Sequence, residues 1–393
     1  MAKSKSRTSS AKSSGKRFQK QIRRAVIAVV ILLVVQLGLT FVPAERVPPR
    51  IRPIYNALLA YRNKAVNRLG LPVSTFSDTV RVESGETNVQ LYFAPSPAIE
   101  EALIAFIDSA RTSVEVAVYD LDLIHVVDAL IQAHQRDCMV RVIVDYDNFF
   151  LYELEPLKRA GIDVRHDRER KAIMHNKFVV VDGKRVWTGS YNFTENGTRK
   201  NDNNAITLDS ELLAANYQTE FEEMWAGKFG AKSPPTTPNP HIDYKDMETN
   251  TYFAPEDEVM ATILDQVSDA EVSLHLMAFS FTDQELARKL MDKQARGLDI
   301  QCLFDRRQAE NAYSQDEALA AKGVSVTISP NQRGVMHHKV IIIDGHTVIT
   351  GSFNFSNNAD ESNDENILII HSVAIASAYE QEFQRCLNGT KGY

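Results

Sequence analysis

The chain has 393 residues, 44% of them hydrophobic and 24% charged, which excludes a collagen-like or wholly disordered protein. Its net charge of −7 is unevenly distributed: residues 1–42 contain nine Lys or Arg and no Asp or Glu, so residues 43–393 carry 35 basic and 51 acidic side chains. An acidic body disfavours general nucleic-acid binding, because phosphate contacts need Lys and Arg. Three cysteines without a CxxC or Cys/His cluster predict neither a disulfide framework nor a zinc site.

The N-terminal region predicts a membrane anchor. Residues 1–24 are rich in Ser, Lys and Arg and are expected to be a disordered tail. Residues 25–42 form an uncharged apolar run long enough to cross a bilayer. A cleaved signal peptide, and hence a secreted protein, is the alternative, but only the weak site Pro43-Ala44-Glu45 follows. More basic residues precede the run than follow it, which predicts a cytoplasmic N-terminus and an extracytoplasmic body.

After a proline-containing connector, residues 43–85, the chain repeats itself. The segment Tyr-Phe-Ala-Pro at 92–95 recurs at 252–255, and each copy continues with an amphipathic helix pattern, a strand, a second helix and a buried strand. This alternation is typical of an α/β sandwich. Residues 227–250 contain four prolines in a short run and are predicted to be a linker. The sequence therefore predicts two similar α/β domains, 86–226 and 251–393, related by a pseudo-two-fold axis.

The most similar segments begin at Met174 and Met336, where 12 of 23 aligned residues are identical. Both contain the pattern H-x-K-x4-D followed by G-S-x-N. The candidate site residues in these two segments are His175, Lys177, Asp182, Ser190 and Asn192 in the first copy, and His337, Lys339, Asp344, Ser352 and Asn354 in the second.

These residue types suit the cleavage of a phosphodiester. Histidine titrates near neutrality, so one imidazole can attack phosphorus while another donates a proton. Lysine and asparagine side chains can hold the non-bridging phosphoryl oxygens. Since His and Lys are two residues apart, they share one face of a strand. Asp182-Gly183 and Asp344-Gly345 are hairpin turn signals, which explains these two aspartates without a catalytic role.

The paired motifs resemble the phospholipase D superfamily, and most closely its compact branch of bacterial nuclease-like and cardiolipin-hydrolase-like enzymes. The resemblance covers about residues 88–390. It implies two α-β-α sandwiches with one active site at their interface, a phosphohistidine intermediate, a second histidine that acts as acid and then base, and no metal or other cofactor.

In that branch a Glu 28 residues after the motif histidine accepts a hydrogen bond from the imidazole. The resemblance therefore implies that Glu365 partners His337, and that Asn203, at the same spacing, partners His175. A carboxylate favours a charged imidazole. On this reasoning His175 is expected to attack phosphorus and His337 to protonate the leaving group.

The sequence leaves the substrate open. A membrane anchor and an acidic body favour a phospholipid, whereas the basic residues Arg168, Arg170 and Lys171 form a candidate lip that could also recruit nucleic acid. Hydrolysis of a phospholipid is the first hypothesis, a single-strand nuclease the second, and a phosphatidyltransferase of the cardiolipin synthase kind the third. His338 alternates with His337 and Lys339 and is expected to face away from them as a structural residue. Because the chain contains both copies, no homodimer is required.

Overall fold

Two eight-stranded mixed sheets with the same strand order form the body of the protein, in a computed structural model that describes residues 77–84, 87–168 and 172–389. The predicted anchor, most of the connector, and the candidate lip residues Arg170 and Lys171 lie outside these ranges. Within them, no helix has both the length and the apolar composition needed to cross a bilayer.

The first half alternates strands and helices as its hydrophobic pattern predicts. Its elements, in chain order, are β1 (Thr79–Ser84), β2 (Thr87–Ala94), α1 (Pro97–Asp108), β3 (Ser113–Val118), α2 (Ile124–Gln135), β4 (Met139–Val144), a 3₁₀ turn (Tyr152–Leu154), α3 (Glu155–Arg159), β5 (Asp163–His166), β6 (Lys177–Val181), β7 (Arg185–Gly189), α4 (Glu195–Arg199), β8 (Asn203–Asp209) and α5 (Glu211–Trp225).

The second half repeats this order after a 3₁₀ turn at Gly230–Lys232. Its elements are β9 (His241–Tyr244), β10 (Met247–Ala254), α6 (Val259–Asp269), β11 (Ser273–Ala278), α7 (Gln284–Ala295), β12 (Asp299–Phe304), α8 (Arg306–Ala309), α9 (Asp316–Ala321), β13 (Ser325–Ile328), β14 (Lys339–Ile343), β15 (Thr347–Gly351), α10 (Asn357–Glu361), β16 (Glu365–His371) and α11 (Val373–Asn388).

The strand order of the first sheet is β1-β2-β8-β7-β6-β3-β4-β5, and that of the second is β9-β10-β16-β15-β14-β11-β12-β13. In each, the three strands joined by helical crossovers are parallel and the others are antiparallel. This duplicated topology confirms the predicted α/β fold of two similar domains.

The core has three parts because each sheet is covered on both faces. Two outer clusters lie between a sheet and its own crossover helices, such as α1 and α2 in the first half. A third cluster contains residues from both sheets together with α5 and α11, including Tyr217 and Tyr379. The two domains therefore share a continuous apolar interior, and this fixes the position of one half relative to the other.

The sheets extend beyond the predicted domain boundaries. Strand β1 precedes residue 86, and strands β9 and β10 begin within the predicted linker 227–250. Strands β1 and β9 lie at the sheet edges and form antiparallel hairpins with β2 and β10. Their sequences are short and largely polar, which is common for edge strands and conceals them in a hydrophobicity pattern.

The two predicted Asp-Gly turns are present, and both aspartates do more than turn the chain. Asp182 and Asp344 have positive φ angles of 57° and 53°, as the turn requires. The Asp182 carboxylate also accepts backbone N–H bonds from residues 111–113, where strand β3 begins, and Asp344 does the same at residues 271–273. Burial alone would raise the pKa of Asp182, but these N–H groups outweigh it and hold that pKa below its usual value. Both aspartates are structural anchors of the hairpin that carries the motif.

Candidate active site

The two motif segments meet at the pseudo-two-fold axis, where the backbone of each half binds the other. Met174 bridges to Asp364, and Met336 bridges to Asp202, in two short parallel pairings. The His175 N–H donates to the Asp364 carbonyl at 2.9 Å, and the His337 N–H donates to the Asp202 carbonyl at 2.8 Å. Each histidine is thus held by the segment that leads into the last strand of the opposite domain.

This crossing reverses the predicted histidine partners. His175 Nδ1 lies 2.8 Å from both carboxylate oxygens of Glu365, and His337 Nδ1 lies 2.8 Å from the Asn203 side-chain oxygen. The expected pairs, His337 with Glu365 and His175 with Asn203, are wrong. The spacing of 28 residues places Asn203 and Glu365 at equivalent positions, each at the start of the last strand of its own sheet. The parallel bridges then bring each of them to the histidine of the other half.

Buried lysines complete the centre. The Lys177 ammonium donates to the His175 carbonyl at 2.5 Å, and the Lys339 ammonium donates to the His337 carbonyl at 2.9 Å. Both lysines are fully buried. Within the described residues neither ammonium is bonded directly to a carboxylate. A buried ammonium in that state is costly, so these positions point to a site built for an anion.

The two histidines and the two lysines lie close enough to influence one another's pKa values. Burial lowers the pKa of His175 well below its usual value, and Lys177 and Lys339 lower it further. Burial likewise lowers the pKa of His337, with contributions from both lysines and from His175. Burial lowers the pKa of Lys177 to about 7, although Glu365 opposes that shift. The centre therefore carries less positive charge near neutrality than its residue types suggest.

An anion that enters this pocket should restore the lost protons. Sulfate, which does not itself titrate near neutrality, is expected to raise the pKa of Lys177, so binding at pH 8 takes up protons from the buffer. Isothermal titration calorimetry in two buffers of different ionisation enthalpy measures this uptake. Lys177→Met should reduce it, whereas Lys184→Met, a change at an exposed lysine in the hairpin turn, should leave it unchanged. Sulfate binding without proton uptake would contradict the charge arrangement.

Serines from the G-S-x-N segments support the histidine partners. The Ser190 hydroxyl donates to the Asn203 side-chain oxygen at 3.1 Å, and its carbonyl lies 3.1 Å from His337 Nδ1. Ser352 stands in the equivalent place: its hydroxyl accepts the Asn366 N–H at 3.0 Å, as that of Ser190 accepts the Asn204 N–H, and it lies near enough to influence the pKa of both His175 and Glu365. Of the predicted supporting residues, Ser190, Ser352 and Asn203 are therefore at the centre, and each serves the histidine of the other copy. Asp182 and Asp344 lie instead at the hairpin turns.

The motif asparagines follow two residues after these serines. The side-chain oxygens of Asn192 and Asn354 are buried and accept no hydrogen bond from any residue in the described ranges. Two polar groups left in this state, one from each copy, are unusual in a folded interior. These side chains are therefore not fully used by the fold. An unpaired amide oxygen cannot itself bind a phosphoryl oxygen, so the role of the amide N–H groups stays a prediction.

Aromatic rings and a second pair of aspartates were not singled out by sequence reasoning. The Tyr119 ring lies 5.2 Å from the His175 ring, and the Phe279 ring lies 4.8 Å from that of His337. Asp145 accepts the N–H of Met174, and Asp305 accepts that of Met336. The internal repeat could have identified them, because Tyr119 and Phe279, like Asp145 and Asp305, occupy matching positions after matching strands of the two copies.

Of the candidate lip, only Arg168 lies within the described residues. It is exposed and lines a cavity of about 1010 Å³ together with Trp225 and Asp364. Asp364 is the chain neighbour of Glu365, so this cavity adjoins the segment that positions His175.

His338 is structural, as its place in the motif predicts. It is fully buried, with Nε2 2.8 Å from Glu382 and Nδ1 2.9 Å from the Asn204 amide. Glu382 also binds Arg385, and Arg385 donates to Asp202 at 2.8 Å, across the domain interface. This buried network joins the helix α11 to the segment that holds His337.

Comparison with known proteins agrees with this geometry. The family model described as "Cardiolipin synthase, PLD-like domain" matches twice, at residues 103–225 and 263–387. A phospholipase D of Rickettsia bellii is 34% identical over 153 residues, which cover 37% of this chain and 76% of that protein. A mitochondrial cardiolipin hydrolase of Xenopus laevis is 37% identical over 136 residues, covering 33% of this chain and 64% of that protein.

Among solved structures, the phosphatidylserine synthase of Haemophilus influenzae covers 77% of this chain and 87% of its own, with a TM-score of 0.59 and 14% identity. At that identity the likeness concerns the fold alone, and it extends over both domains. The two family matches together span more than half of the sequence; the first includes His175 and the second His337. The chain therefore belongs to the phospholipase D superfamily, as a two-domain member with a phosphodiesterase site of the phospholipase D type.

Proposed function

We propose that this protein hydrolyses phospholipid phosphodiester bonds through a covalent phosphohistidine, at the surface of the membrane that anchors it. The observation that carries the proposal is the crossed centre, in which two histidines with different partners share one pocket with two buried lysines. The geometry supplies an anion site, a nucleophile and a proton donor without further groups.

The two histidines have unequal partners, and this supports unequal roles. With Nδ1 of His175 bound to Glu365, Nε2 is the nitrogen left for attack. When Nε2 bonds to phosphorus, the ring gains positive charge, and the carboxylate stabilises that charge as it develops. Among the described residues, His337 Nδ1 faces only neutral oxygens, so its protonated form is less stabilised and releases a proton more readily.

The roles are therefore those expected from the sequence, but for a different reason. The sequence-based expectation rested on the resting charge of His337 beside Glu365, and that contact does not exist. A rate depends on the change between ground state and transition state, so the charge that develops on His175 is the relevant quantity.

The reaction then proceeds in two steps. Nε2 of His175 attacks phosphorus, the bond from phosphorus to the alcohol oxygen breaks, and His337 gives its proton to that oxygen. Water next attacks phosphorus while His337 accepts a proton from it, the P–N bond breaks, and His175 is released. The lysines and the amides of Asn192 and Asn354 hold the non-bridging oxygens in both steps.

Ionisation of Glu365 fits this assignment. Burial raises the pKa of Glu365 to about 7, while Lys177 lowers it. The carboxylate is therefore about half ionised near pH 7 and becomes fully ionised above it, where it can stabilise the charged ring, and it becomes protonated as the pH falls below about 7.

Three features support a lipid substrate. The apolar run at 25–42 is proposed to hold the body near a bilayer, on the extracytoplasmic side indicated by its flanking charges. The net charge of residues 43–393 disfavours a long polyanion. The related proteins named above are a phospholipase D and a cardiolipin hydrolase, and the same substrate class is proposed here.

The test is to incubate the purified full-length protein with labelled phospholipid vesicles and, separately, with a labelled single-stranded oligonucleotide, both in EDTA. Release of the lipid head group in EDTA is expected, because lysines take the electrostatic role that a metal plays in other phosphodiesterases. Cleavage of the oligonucleotide alone would establish the nuclease alternative. Exchange of the head group for an added alcohol, without hydrolysis, would establish a transferase. Loss of activity in EDTA with rescue by a divalent ion would refute the metal-free mechanism.

A further inference from the structure

The most exposed large apolar side chains among the described residues lie on two loops. Phe150, Tyr152 and Tyr313 have 69%, 77% and 76% of their surface exposed, and no other large apolar side chain in the described ranges exceeds 53%. Exposed aromatic side chains that cluster on one part of a surface usually mark an interaction site.

The first of these loops, residues 146–152, borders the catalytic centre. It follows Asp145, whose carboxylate accepts the N–H of Met174 beside His175. The Asn148 amide donates to the Tyr119 carbonyl at 2.8 Å, and the Tyr119 ring contacts His175. Phe150 packs edge-on against Tyr146 in the same loop, with ring centres 5.8 Å apart, so its position is supported by a neighbouring ring.

The second loop, residues 306–315, occupies the matching position in the other half. It follows Asp305, which accepts the N–H of Met336 beside His337. The Gln315 N–H donates to the Phe281 carbonyl at 3.1 Å, two residues after the ring that contacts His337. The pseudo-two-fold axis therefore sets exposed aromatic side chains on both sides of one active site.

We propose that Phe150, Tyr152 and Tyr313 insert into the interface of a zwitterionic bilayer and dock the active site on its surface. Tyrosine and phenylalanine suit this position, because their rings enter the boundary between head groups and acyl chains while the tyrosine hydroxyl stays hydrated. The inference rests on the proposed phospholipid activity and adds the surface that delivers the substrate.

The charge of the two loops together selects the kind of bilayer. Residues 146–155 contain the carboxylates Asp147, Glu153 and Glu155 and no Lys or Arg, whereas residues 306–315, which include helix α8, contain Arg306, Arg307 and Glu310. With four acidic and two basic side chains, the combined surface is acidic. Such a surface is repelled by anionic lipids, whose negative potential attracts basic segments. The same carboxylates disfavour stacking of the rings on nucleic-acid bases, since the phosphates would lie beside them.

Fluorescence quenching tests the contact independently of catalysis. The full-length protein carrying Phe150→Trp is reconstituted into vesicles of brominated phosphatidylcholine, and Leu212→Trp serves as the matched control. Leu212 is also exposed and apolar, but it follows the end of β8 that is remote from the centre. Bromine should quench the indole introduced at position 150 well above the background of the two native tryptophans and leave the one introduced at position 212 unaffected. An excess of anionic lipid should weaken the quenching.

Hydrolysis rates on vesicles and on a soluble diester provide a second test of the docking surface. The triple variant Phe150→Ser, Tyr152→Ser, Tyr313→Ser should lose about tenfold or more in hydrolysis of vesicle phosphatidylcholine, the factor that corresponds to about 1.4 kcal/mol of lost interfacial binding. Its activity on soluble p-nitrophenyl phosphocholine should match that of the unchanged protein, as should Leu212→Ser on both substrates.

Two kinds of outcome overturn the proposal. Equal quenching of the Phe150→Trp and Leu212→Trp variants, or an equal loss on vesicles and on the soluble diester, would show that the loops do not dock on lipid. Loss of oligonucleotide binding with unchanged vesicle activity would make the rings a nucleic-acid stacking surface. If the unchanged protein hydrolyses no lipid while the Phe150→Trp variant is still quenched, the proposed function fails and the docking surface stands.

Discussion

His175→Ala and His337→Ala should each lower kcat/KM for a phospholipid diester by roughly four to six orders of magnitude, the range for loss of one member of a catalytic unit. Each histidine belongs to a single pocket and has a partner in the opposite domain, so neither half can act alone. The double variant should be little worse than either single one, because the two act in sequence on the same phosphorus.

The matched control is His241→Ala, a change at an exposed histidine in the β9 hairpin, which should retain full activity. Unchanged thermal unfolding of the two catalytic variants separates lost chemistry from lost structure. If either single variant keeps substantial turnover, the two domains would contain separate sites, and the crossed centre would not be the catalyst.

The second large effect is expected from Arg385→Met, which should lower the free energy of unfolding by about 3–5 kcal/mol, the usual cost of removing one partner from a buried ion network. Arg385 binds Glu382 and Asp202, and all three are buried. Methionine keeps much of the side-chain volume but leaves both carboxylates without their cation. Urea unfolding of the full-length protein measures the change.

Arg165→Met is the control for this prediction, since Arg165 also pairs with a carboxylate, Asp163, but at the surface. That pair should contribute no more than about 1 kcal/mol. Adding Glu382→Gln and Asp202→Asn to Arg385→Met should recover part of the loss, because the uncompensated charges are removed. A cost for Arg385→Met as small as that for Arg165→Met would show that the network does not hold the two domains together.

Arg385 also shows where the duplication is incomplete. The same helical position in the first copy is Glu223, and its neighbours Glu220 and Glu256 are carboxylates too. Burial raises the pKa of Glu220 well above its usual value, and the nearby Glu256 raises it further. The copies therefore share their topology and motif but differ in charge behind the active site. The first copy has a cluster of carboxylates there, and the second has an arginine paired with two carboxylates.

Much of the fold and the composition of the site were predictable because both the pattern of strands and helices and the motif occur twice in the sequence. Helices, strands and Asp-Gly turns follow from local periodicity and turn chemistry, and the paired motifs identify the histidines, lysines, serines and asparagines that meet at the centre. The resemblance to the phospholipase D superfamily also pointed to Asn203 and Glu365 as residues of the site.

What could not be predicted depends on contacts between the halves. Spacing along the chain shows that Glu365 and Asn203 lie at equivalent positions, but not whether each faces the histidine of its own copy. That choice is made by the parallel bridges at Met174 and Met336, which are tertiary contacts. The exposure of Phe150 and Tyr152 could not be predicted either, because an apolar loop sequence does not tell whether its aromatic rings enter the core.

The measurement that tests the central claim most directly is identification of the covalent intermediate. Full-length His337→Ala is mixed with p-nitrophenyl phosphocholine, whose leaving group needs little protonation, and is stopped in denaturant at alkaline pH before peptide mass spectrometry. We expect a burst of p-nitrophenolate of about one equivalent, with phosphocholine on His175, because the base that activates water for the second step is missing. In His175→Ala neither burst nor adduct should form. A phosphocholine adduct on His337 in that variant would reverse the roles, and a burst without an adduct on either histidine would contradict the phosphohistidine mechanism itself.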